Sequence, residues 1–305
     1  MQSLVKAGAA LLQAYYRHVP LAAGKRLLWH HLVQPALRRH PMVLEARTRF
    51  GARMAVRFPD TIQSYVYFFG VWEPAITAYI AALLRLGDTV IDIGANVGYD
   101  TLLASHCVGP GGVVHAIEAS PSLFAALCAN LALNGLGDGG GNVIAHHAAV
   151  CAEPGAVSVY LHHVSNLGGT TIVPEVARRR GAVMEASVRG LPLAALVPEA
   201  VIQTARLIKI DVEGAEWPVV RGFADLLPNL SPRTELLIEV SAEALRDHGT
   251  TVEAFIALFR AAGFAPFVIG NRYNVDMYLD PVPARIEPLE GTAFDQLDIL
   301  FRKSY

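Results

Sequence analysis

Three acidic residues in this chain each follow a short apolar stretch at the position where a β-strand is expected to end. They are Asp92 in DTVIDIGANVGYD, Glu118 in VVHAIE, and Asp211 directly after LIKI. In an open parallel sheet the carboxyl ends of the strands meet at one edge, and ligands bind in the crevice there. The pattern therefore predicts that these three carboxylates face a common ligand site.

The segment after Asp92 predicts a glycine turn that leads into a helix. Gly94 and Gly98 let the backbone pass close beneath a ligand, and the start of the helix offers free N–H groups. The string Gly94-Ala95-Asn96-Val97-Gly98 lacks the middle glycine of the dinucleotide fingerprint GxGxxG. Asp92 and Asn96 also add polar groups that suit an ammonium better than a pyrophosphate. By itself the loop is equally compatible with plain strand–turn–helix packing.

Glu118 ends the next strand, about two dozen residues beyond Gly94. An acidic side chain in this position accepts hydrogen bonds from both hydroxyls of a ribose. Nicotinamide enzymes use the same arrangement, so Glu118 alone does not separate the two kinds of cofactor. The alternative is a glutamate that only caps the surface.

Two acidic residues follow the strand LIKI, and a glycine separates them from the next helix. Asp211 and Glu213 precede Gly214, and a strand end of this kind predicts a site rather than a core. In the alternative interpretation Asp211 caps the helix that begins near Ala215, while Glu213 pairs with an arginine such as Arg221.

The blocks DTVIDIGANVGYDTLLAS, HAIEASP and LIKIDVEGAEWPVVRGF, in this order, resemble the FkbM family of S-adenosylmethionine-dependent methyltransferases. The resemblance covers roughly residues 71–240 and includes Trp72-Glu73, Asn130 and Asn134. It implies a class I methyltransferase fold, S-adenosylmethionine as cofactor, and O-methylation of a hydroxyl on a small molecule, polyketide or sugar.

The motifs and the resemblance together assign residues to the site. We expect the cofactor to contact Glu73, Asp92, Gly94, Ala95, Asn96, Gly98, Glu118, Ala119, His147, Ala148 and Asp211. We expect the polar loop SNLGGTT to bind substrate hydroxyls through Asn166, Thr170 and Thr171, although these residues can equally serve a turn.

A hydroxyl acceptor must also lose its proton, which a carboxylate or histidine of suitable pKa can accept. The candidates are Asp211, Glu213, His146, His147, His162 and His163. We favour Asp211 and Glu213 because their strand end faces the ligand, and His146 or His147 is the next choice. Metal-ligand spacing such as HExxH does not occur, so we expect a metal-independent enzyme, with Asp211 as a metal ligand the alternative.

The elements that position these residues predict an α/β protein of class I methyltransferase type. Short Val/Ile runs separated by helical periods indicate a Rossmann-like, mostly parallel seven-stranded sheet with helices on both faces. The predicted strands are 90–93, 113–118, 143–147, 207–211, 235–240, 265–270, 275–279 and 298–302. The predicted helices are 74–86, 98–107, 121–134, 216–227 and 251–262. We expect the methyltransferase domain to span 71–305, after an extension at 1–70.

The extension is predicted to contain helices at 4–17 and 25–39 and a hairpin at 42–58. The second helix has a basic, aromatic edge, so residues 1–40 are expected to pack on the sheet, form a homodimer contact or touch a membrane surface. No stretch reaches the roughly 20 apolar residues of a transmembrane helix.

Composition narrows the function classes further. The net charge of −2 lacks the basic excess of nucleic-acid-binding proteins. The three cysteines are odd in number and form no CxxC pair, which predicts a reducing, cytoplasmic location. A nicotinamide oxidoreductase is one alternative, although no Tyr-x-x-x-Lys pair is present. A non-catalytic binding protein is another, which the intact Asp92, Glu118 and Asp211 disfavour.

Overall fold

The computed structural model describes residues 2–19, 24–137, 140–271, 274–279 and 285–303. Its strands are β1 (Met42–Arg47), β2 (Arg53–Phe58), β3 (Thr89–Ile93), β4 (Val113–Glu118), β5 (Val143–His147), β6 (Ala149–Val150), β7 (Gly155–Leu161), β8 (Val183–Leu191), β9 (Leu207–Ile210), β10 (Glu235–Ser241), β11 (Phe264–Ile269), β12 (Ile286–Pro288) and β13 (Gln296–Lys303). Its α-helices are α1 (Gln2–His18), α2 (Lys25–Leu28), α3 (Gln34–Arg39), α4 (Thr61–Phe69), α5 (Pro74–Leu83), α6 (Tyr99–Val108), α7 (Pro121–Leu133), α8 (Pro174–Arg180), α9 (Leu193–Leu196), α10 (Glu199–Thr204), α11 (Glu216–Arg221), α12 (Ala242–Asp247), α13 (Val252–Ala261) and α14 (Asp276–Leu279). A π-helical turn (Trp29–Val33) joins α2 to α3, and Leu167–Gly169 and Ala224–Asn229 are 3₁₀ turns.

Within the described residues, the central sheet has eight strands in the order β12-β11-β13-β10-β9-β3-β4-β5. The strands from β10 to β5 run parallel, whereas β13 is antiparallel to both of its neighbours. The strand order reverses between β3 and β9, since β4 and β5 follow on one side and β10 on the other. A parallel sheet with this reversal and with an antiparallel strand inserted near its edge is the class I methyltransferase topology. The predicted fold class is therefore confirmed.

The sheet has one strand more than the seven predicted. The additional strand, β12, is three residues long and pairs with the edge of β11. It is too short to produce a periodic pattern in the sequence. A second sheet of three strands, β6-β8-β7, was not predicted either.

The core lies on both faces of the central sheet. All four residues of β9 are buried, and three of them are apolar, as expected for a central strand covered on both faces. On one face α13 buries Phe255 and Phe259, and the ring of Phe259 stacks on Phe301 at 3.9 Å. Thr251 accepts a hydrogen bond from the backbone of Ala254 and so fixes where α13 begins.

The N-terminal helices pack on α4, a buried helix that sequence reasoning missed. Tyr16 and Trp29 make ring contacts with Phe68 and Phe69 of α4, and Asp60 caps the start of this helix. The apolar residues of this layer belong to the same cluster as those of the sheet. Within the predicted layer, residues 1 and 20–23 lie outside the described residues.

Two predicted elements differ from the structure. The segment predicted as a strand at 275–279 is the helix α14, because the side chain of Asn274 accepts a hydrogen bond from the backbone of Asp276 and starts a helical turn. The helix predicted at 216–227 ends at Arg221. A separate 3₁₀ turn that contains Pro228 begins at Ala224. Among the described residues, no single helix has the length and hydropathy to cross a bilayer; α4 and α5 meet the criterion only as a pair bent by 71°.

Candidate active site

The turn after β3 brings its backbone against the end of β9. Gly94 and Gly98 have φ values of 87° and 92°, and Asn96 has 51°. A Cβ atom on Gly94 would lie 1.9 Å from the carbonyl oxygen of Asp211, so only glycine permits this approach. The two strand ends that flank the crevice are thereby held in direct contact.

Glu118 is connected to the same turn by backbone hydrogen bonds. Its Oε2 accepts from the N–H of Asn96 at 2.8 Å and its Oε1 accepts from the N–H of Ser120 at 2.7 Å. Burial raises the pKa of Glu118 to about 7, although the backbone donors act in the opposite direction. The carboxylate is thus oriented at the end of β4 before any ligand arrives.

A narrow pocket lies between these elements; we name it the inner pocket. Glu118, Ala119, Leu123 and Ala148 line one side of it, and Asp211 lies on another. Apolar walls next to a carboxylate match an adenosine, whose base is flat and whose ribose carries two hydroxyls.

Asp92 is buried behind the turn with one oxygen unsatisfied. Its Oδ2 accepts from the hydroxyl of Thr101 at 2.6 Å, but its Oδ1 has no hydrogen-bond partner within the described part of the chain. Burial raises the pKa of Asp92 to about 6, against the pull of the nearby Lys209. A buried acceptor without a donor fits a cationic ligand group such as an ammonium.

Lys209 occupies the centre of a group of carboxylates that we name the acidic pocket. Its Nζ lies 2.9 Å from Asp211 Oδ2 and 3.3 Å from Asp100 Oδ2. Burial alone would lower the pKa of Lys209, but the surrounding carboxylates hold it well above its usual range. The acidic pocket is lined by Glu73, Asp100, Lys209, Asp211, Glu213 and Glu239, among others.

Glu73, one of the predicted cofactor contacts, is buried in this pocket. Its backbone has a φ of 42°, and its Oε1 accepts from the amide of Asn271 at 3.1 Å. Burial and then the neighbouring Asp298 and Asp211 raise its pKa well above the usual range.

Glu213 is held by an arginine that the sequence did not identify. Arg180 donates to Glu213 Oε2 at 2.6 Å. Burial and the nearby Asp211 raise the pKa of Glu213 to about 7. The alternative pairing of Glu213 with Arg221 and the capping role of Asp211 are therefore not what the structure shows, since Asp211 pairs with Lys209.

A third carboxylate, Glu239 of β10, joins the pair. Ligand oxygens of Asp211, Glu213 and Glu239 all lie within 4.8 Å of one another. Burial, followed by the charges of Asp211 and Glu213, raises the pKa of Glu239 well above its usual range. Sequence reasoning missed Glu239 because it lies inside a strand, where alternation gives no sign of chemistry.

A larger cavity of about 500 Å³, the outer cavity, opens beside these carboxylates. Its walls combine aromatic rings, hydrogen-bonding side chains and residues of the N-terminal helices. They include Trp29, Gln34, Leu37, Arg38, Tyr65, Trp72, His162, Asn166, Tyr278 and Gln296. Glu213 and Gly168 line the outer cavity, the inner pocket and the acidic pocket alike.

The remaining predicted residues are distributed around this arrangement. Asn166 lines the outer cavity, whereas Thr170 and Thr171 line the inner pocket. Thr171 also donates to the backbone carbonyl of Glu213 at 2.7 Å. His147 stacks on the ring of Phe124 at 4.7 Å rather than lining any of the three spaces.

The other candidate bases, His146, His162 and His163, lie in different surroundings. His146 stacks on His115, with 3.1 Å between their ring nitrogens, on the part of the sheet away from the outer cavity. His162 is the histidine that lines the outer cavity, and His163 contacts the hydroxyl of Ser165 at 2.8 Å.

Strand order, the glycine turn between β3 and α6, and the acid at the end of β4 define a class I methyltransferase. The chain belongs to the FkbM methyltransferase family, because the family model described as the methyltransferase FkbM domain matches residues 92–266. It is also similar to a curated relative, the 31-O-demethyl-FK506 methyltransferase FkbM of Streptomyces tacrolimicus. The two are 31% identical over 204 residues, which cover 56% of this chain and 75% of the relative.

The comparison with solved structures gives matches of low sequence identity. A methyltransferase FkbM from Methylobacillus flagellatus KT has 13% identity and a TM-score of 0.43 over 79% of this chain and 52% of its own. The chain therefore spans about half the length of that protein. A SAM-dependent O-methyltransferase from Thermotoga maritima has 15% identity and a TM-score of 0.40 over 85% of this chain and 77% of its own.

Proposed function

We propose that this protein transfers a methyl group from S-adenosylmethionine to a hydroxyl oxygen of a small molecule, polyketide or sugar. The observation that carries the proposal is the position of Glu213, a carboxyl group of near-neutral pKa where the inner pocket meets the outer cavity. A group in that place contacts both the cofactor side and the acceptor side of the site.

The residues present fit the cofactor. Glu118 is oriented to accept from the ribose hydroxyls, and the unsatisfied Oδ1 of Asp92 offers a partner for the ammonium group. When bound, S-adenosylmethionine supplies an electrophilic methyl group on a positively charged sulfur. The excess of carboxylates over Lys209 in the acidic pocket favours such a cation.

We place the acceptor in the outer cavity. Tyr65, Trp72 and Tyr278 supply flat apolar walls, while Asn166 and Gln296 supply hydrogen-bonding groups. This combination suits a ring that carries several hydroxyls. Holding donor and acceptor in line can lower the barrier by as much as about 7–11 kcal/mol in ideal cases.

Glu213 then accepts the proton of the attacking hydroxyl. Its pKa of about 7 is close to the value at which a general base is most effective near neutral pH. Arg180 fixes the orientation of the carboxylate, and the ion pair of Lys209 with Asp211 keeps that second carboxylate on the cofactor side. Asp211 is accordingly a positioning residue or a second proton acceptor next to Glu213.

The experiment uses S-adenosylmethionine with a deuterated methyl group and extracts rich in hydroxylated metabolites. We expect a product that carries the labelled methyl group as an ether and that forms only with the native protein. Labelled methyl groups found only on nitrogen, carbon or sulfur would contradict hydroxyl transfer. Binding of NADH with no binding of S-adenosylmethionine would contradict the cofactor assignment.

A further inference from the structure

Charge is unevenly distributed along this chain. Residues 1–59 contain ten Lys and Arg residues and one acidic residue, Glu45, whereas residues 60–305 contain 15 basic and 26 acidic residues. The overall charge of −2 conceals this separation. A strongly positive segment on a mildly acidic protein favours association of one face with a negatively charged partner.

The helices of the positive segment, α1 to α3, form a layer whose outer side carries three of the segment's ten basic residues. Tyr16 of α1 and Trp29 of the π-helical turn both contact α4, so these are the inner sides of the two helices. We name the opposite side the outer helical face. Its exposed residues are Lys6, Ala7, Ala10, Leu11, Ala14, Leu27, His30, His31, Leu32, Arg38 and Arg39.

Large apolar side chains lie exposed on this face. Leu11 is 74%, Leu27 65% and Leu32 49% exposed. Between Lys6 and His18 the exposed residues of α1 are Leu11 and three alanines, so this stretch is apolar where a solvent-facing stripe is ordinarily polar. Exposed leucines among basic residues are typical of a helix that lies in a membrane interface.

The basic residues of the face are available to a partner. Among the ion pairs of the described residues, none includes Lys6, Arg38 or Arg39. Lys6 and Arg39 line one groove together with Val43, which is 55% exposed. Cations therefore stand next to exposed apolar groups, at the start of α1 and the end of α3.

We propose that the outer helical face docks on a bilayer that contains anionic lipids. The leucines would enter the boundary of the acyl chains, and Lys6, Arg38 and Arg39 would meet the phosphate groups. Each basic residue near an anionic surface strengthens binding about fivefold. A nucleic acid would match the charge but would leave the leucines in water, so it is the weaker occupant.

Docking on this face also bears on the acceptor, a point that rests on the proposed function. Gln34, Leu37 and Arg38 of α3 line the outer cavity. A bilayer on the outer side of the same helix brings the lipid surface close to the cavity in which we place the acceptor. The hydroxyl to be methylated would then belong to a molecule held in or on the membrane.

Vesicle sedimentation with the full chain tests the docking surface directly. The probes are vesicles of phosphatidylcholine alone and vesicles with about 30% phosphatidylglycerol, at about 0.1 M and about 0.5 M salt. We expect sedimentation with the anionic vesicles at low salt and much less with the neutral ones or at high salt. Calorimetry with S-adenosylhomocysteine on the same sample reports the cofactor site separately.

Matched variants locate the contact. Arg39→Glu and Leu11→Glu should each weaken vesicle binding at least about fivefold, whereas Leu86→Glu should not. Leu86 is 80% exposed and precedes β3, outside the helical layer. Folding of every variant is checked by its melting temperature. The proposal is overturned if the folded native protein does not sediment with anionic vesicles. It is also overturned if Arg39→Glu and Leu11→Glu bind these vesicles as well as Leu86→Glu does.

Discussion

The backbone N–H of Asn96 donates to Glu118 Oε2 at 2.8 Å. This bond joins the glycine turn after β3 to the acid at the end of β4. Two segments that the sequence identifies separately are therefore parts of one preformed structure, and a change in Glu118 is expected to affect the turn as well as the ribose contact.

Replacing Glu118 tests this connection. Glu118→Ala should weaken binding of S-adenosylhomocysteine by about 1–3 kcal/mol, the cost of a lost charged acceptor. Glu185→Ala is the control, because Glu185 accepts from Ser120 and Ser122 but does not line the inner pocket. Calorimetry measures both variants, and equal affinities for the two would rule out the assignment of Glu118.

The approach of Gly94 to Asp211 gives a second prediction. Gly94→Ala should destabilise the protein by more than about 3 kcal/mol and abolish cofactor binding, because its Cβ would lie 1.9 Å from a carbonyl oxygen. Gly87 has nearly the same φ, 84°, but a Cβ there would have no described atom within 4 Å. Gly87→Ala should therefore cost only about 1–2 kcal/mol. Urea unfolding measures the difference, and similar losses for both variants would show that the contact between β3 and β9 is loose.

Buried carboxyls predict how stability depends on pH. Burial raises the pKa of Glu216 to about 7, above its ordinary value of 4.5. The folded state then holds a proton that the unfolded state has already released, so stability falls as pH rises from about 4.5 to about 7. Glu118 and Glu213 act in the same direction, whereas His115, whose pKa is lowered to about 4, opposes them.

Glu216→Gln isolates one of these groups. The amide keeps an acceptor for the N–H of Gly214, which Glu216 Oε1 accepts at 3.0 Å. We expect the melting temperature of the variant to exceed that of the native protein at pH 7.5 by a few degrees, and to lose this advantage at pH 4.5. A constant difference between the two proteins across this range would contradict the raised pKa.

Metal independence remains a prediction, and the structure makes it specific. Asp211, Glu213 and Glu239 are close enough to share a cation. Lys209 and Arg180, however, already pair with the first two at 2.9 and 2.6 Å, which offsets much of the negative charge that a metal would need. We expect methyl transfer to continue in EDTA. Activity lost in EDTA and restored by magnesium would identify the three carboxylates as ligands.

Sequence reasoning located the parts of the site that lie at strand ends, since a parallel sheet collects such residues at one edge. Gly94, Glu118 and Asp211 were found in this way. Residues that reach the site from within a strand or from an unpredicted helix gave no such signal. Lys209 interrupts an apolar strand, and Arg180 is the last residue of α8, a helix that the sequence did not predict.

The same limit applies to the fold. Long apolar runs predicted the central strands, because both of their faces are covered. The helix α4 was missed because nearly all of its residues are buried, which removes the polar face that reveals a helix. Short segments such as β12 and α14 carry too few residues for any period to be read.

Glu213 is proposed to take the proton of the acceptor hydroxyl next to the bound cofactor. The measurement is the rate of labelled methyl transfer by Glu213→Gln, together with its affinity for S-adenosylhomocysteine. We predict a fall in kcat of about 10²–10⁴ with affinity nearly unchanged, and native behaviour for Glu175→Gln, a glutamate paired with an arginine on the nearby α8. Native turnover by Glu213→Gln would contradict the account and move the base to Asp211 or His162.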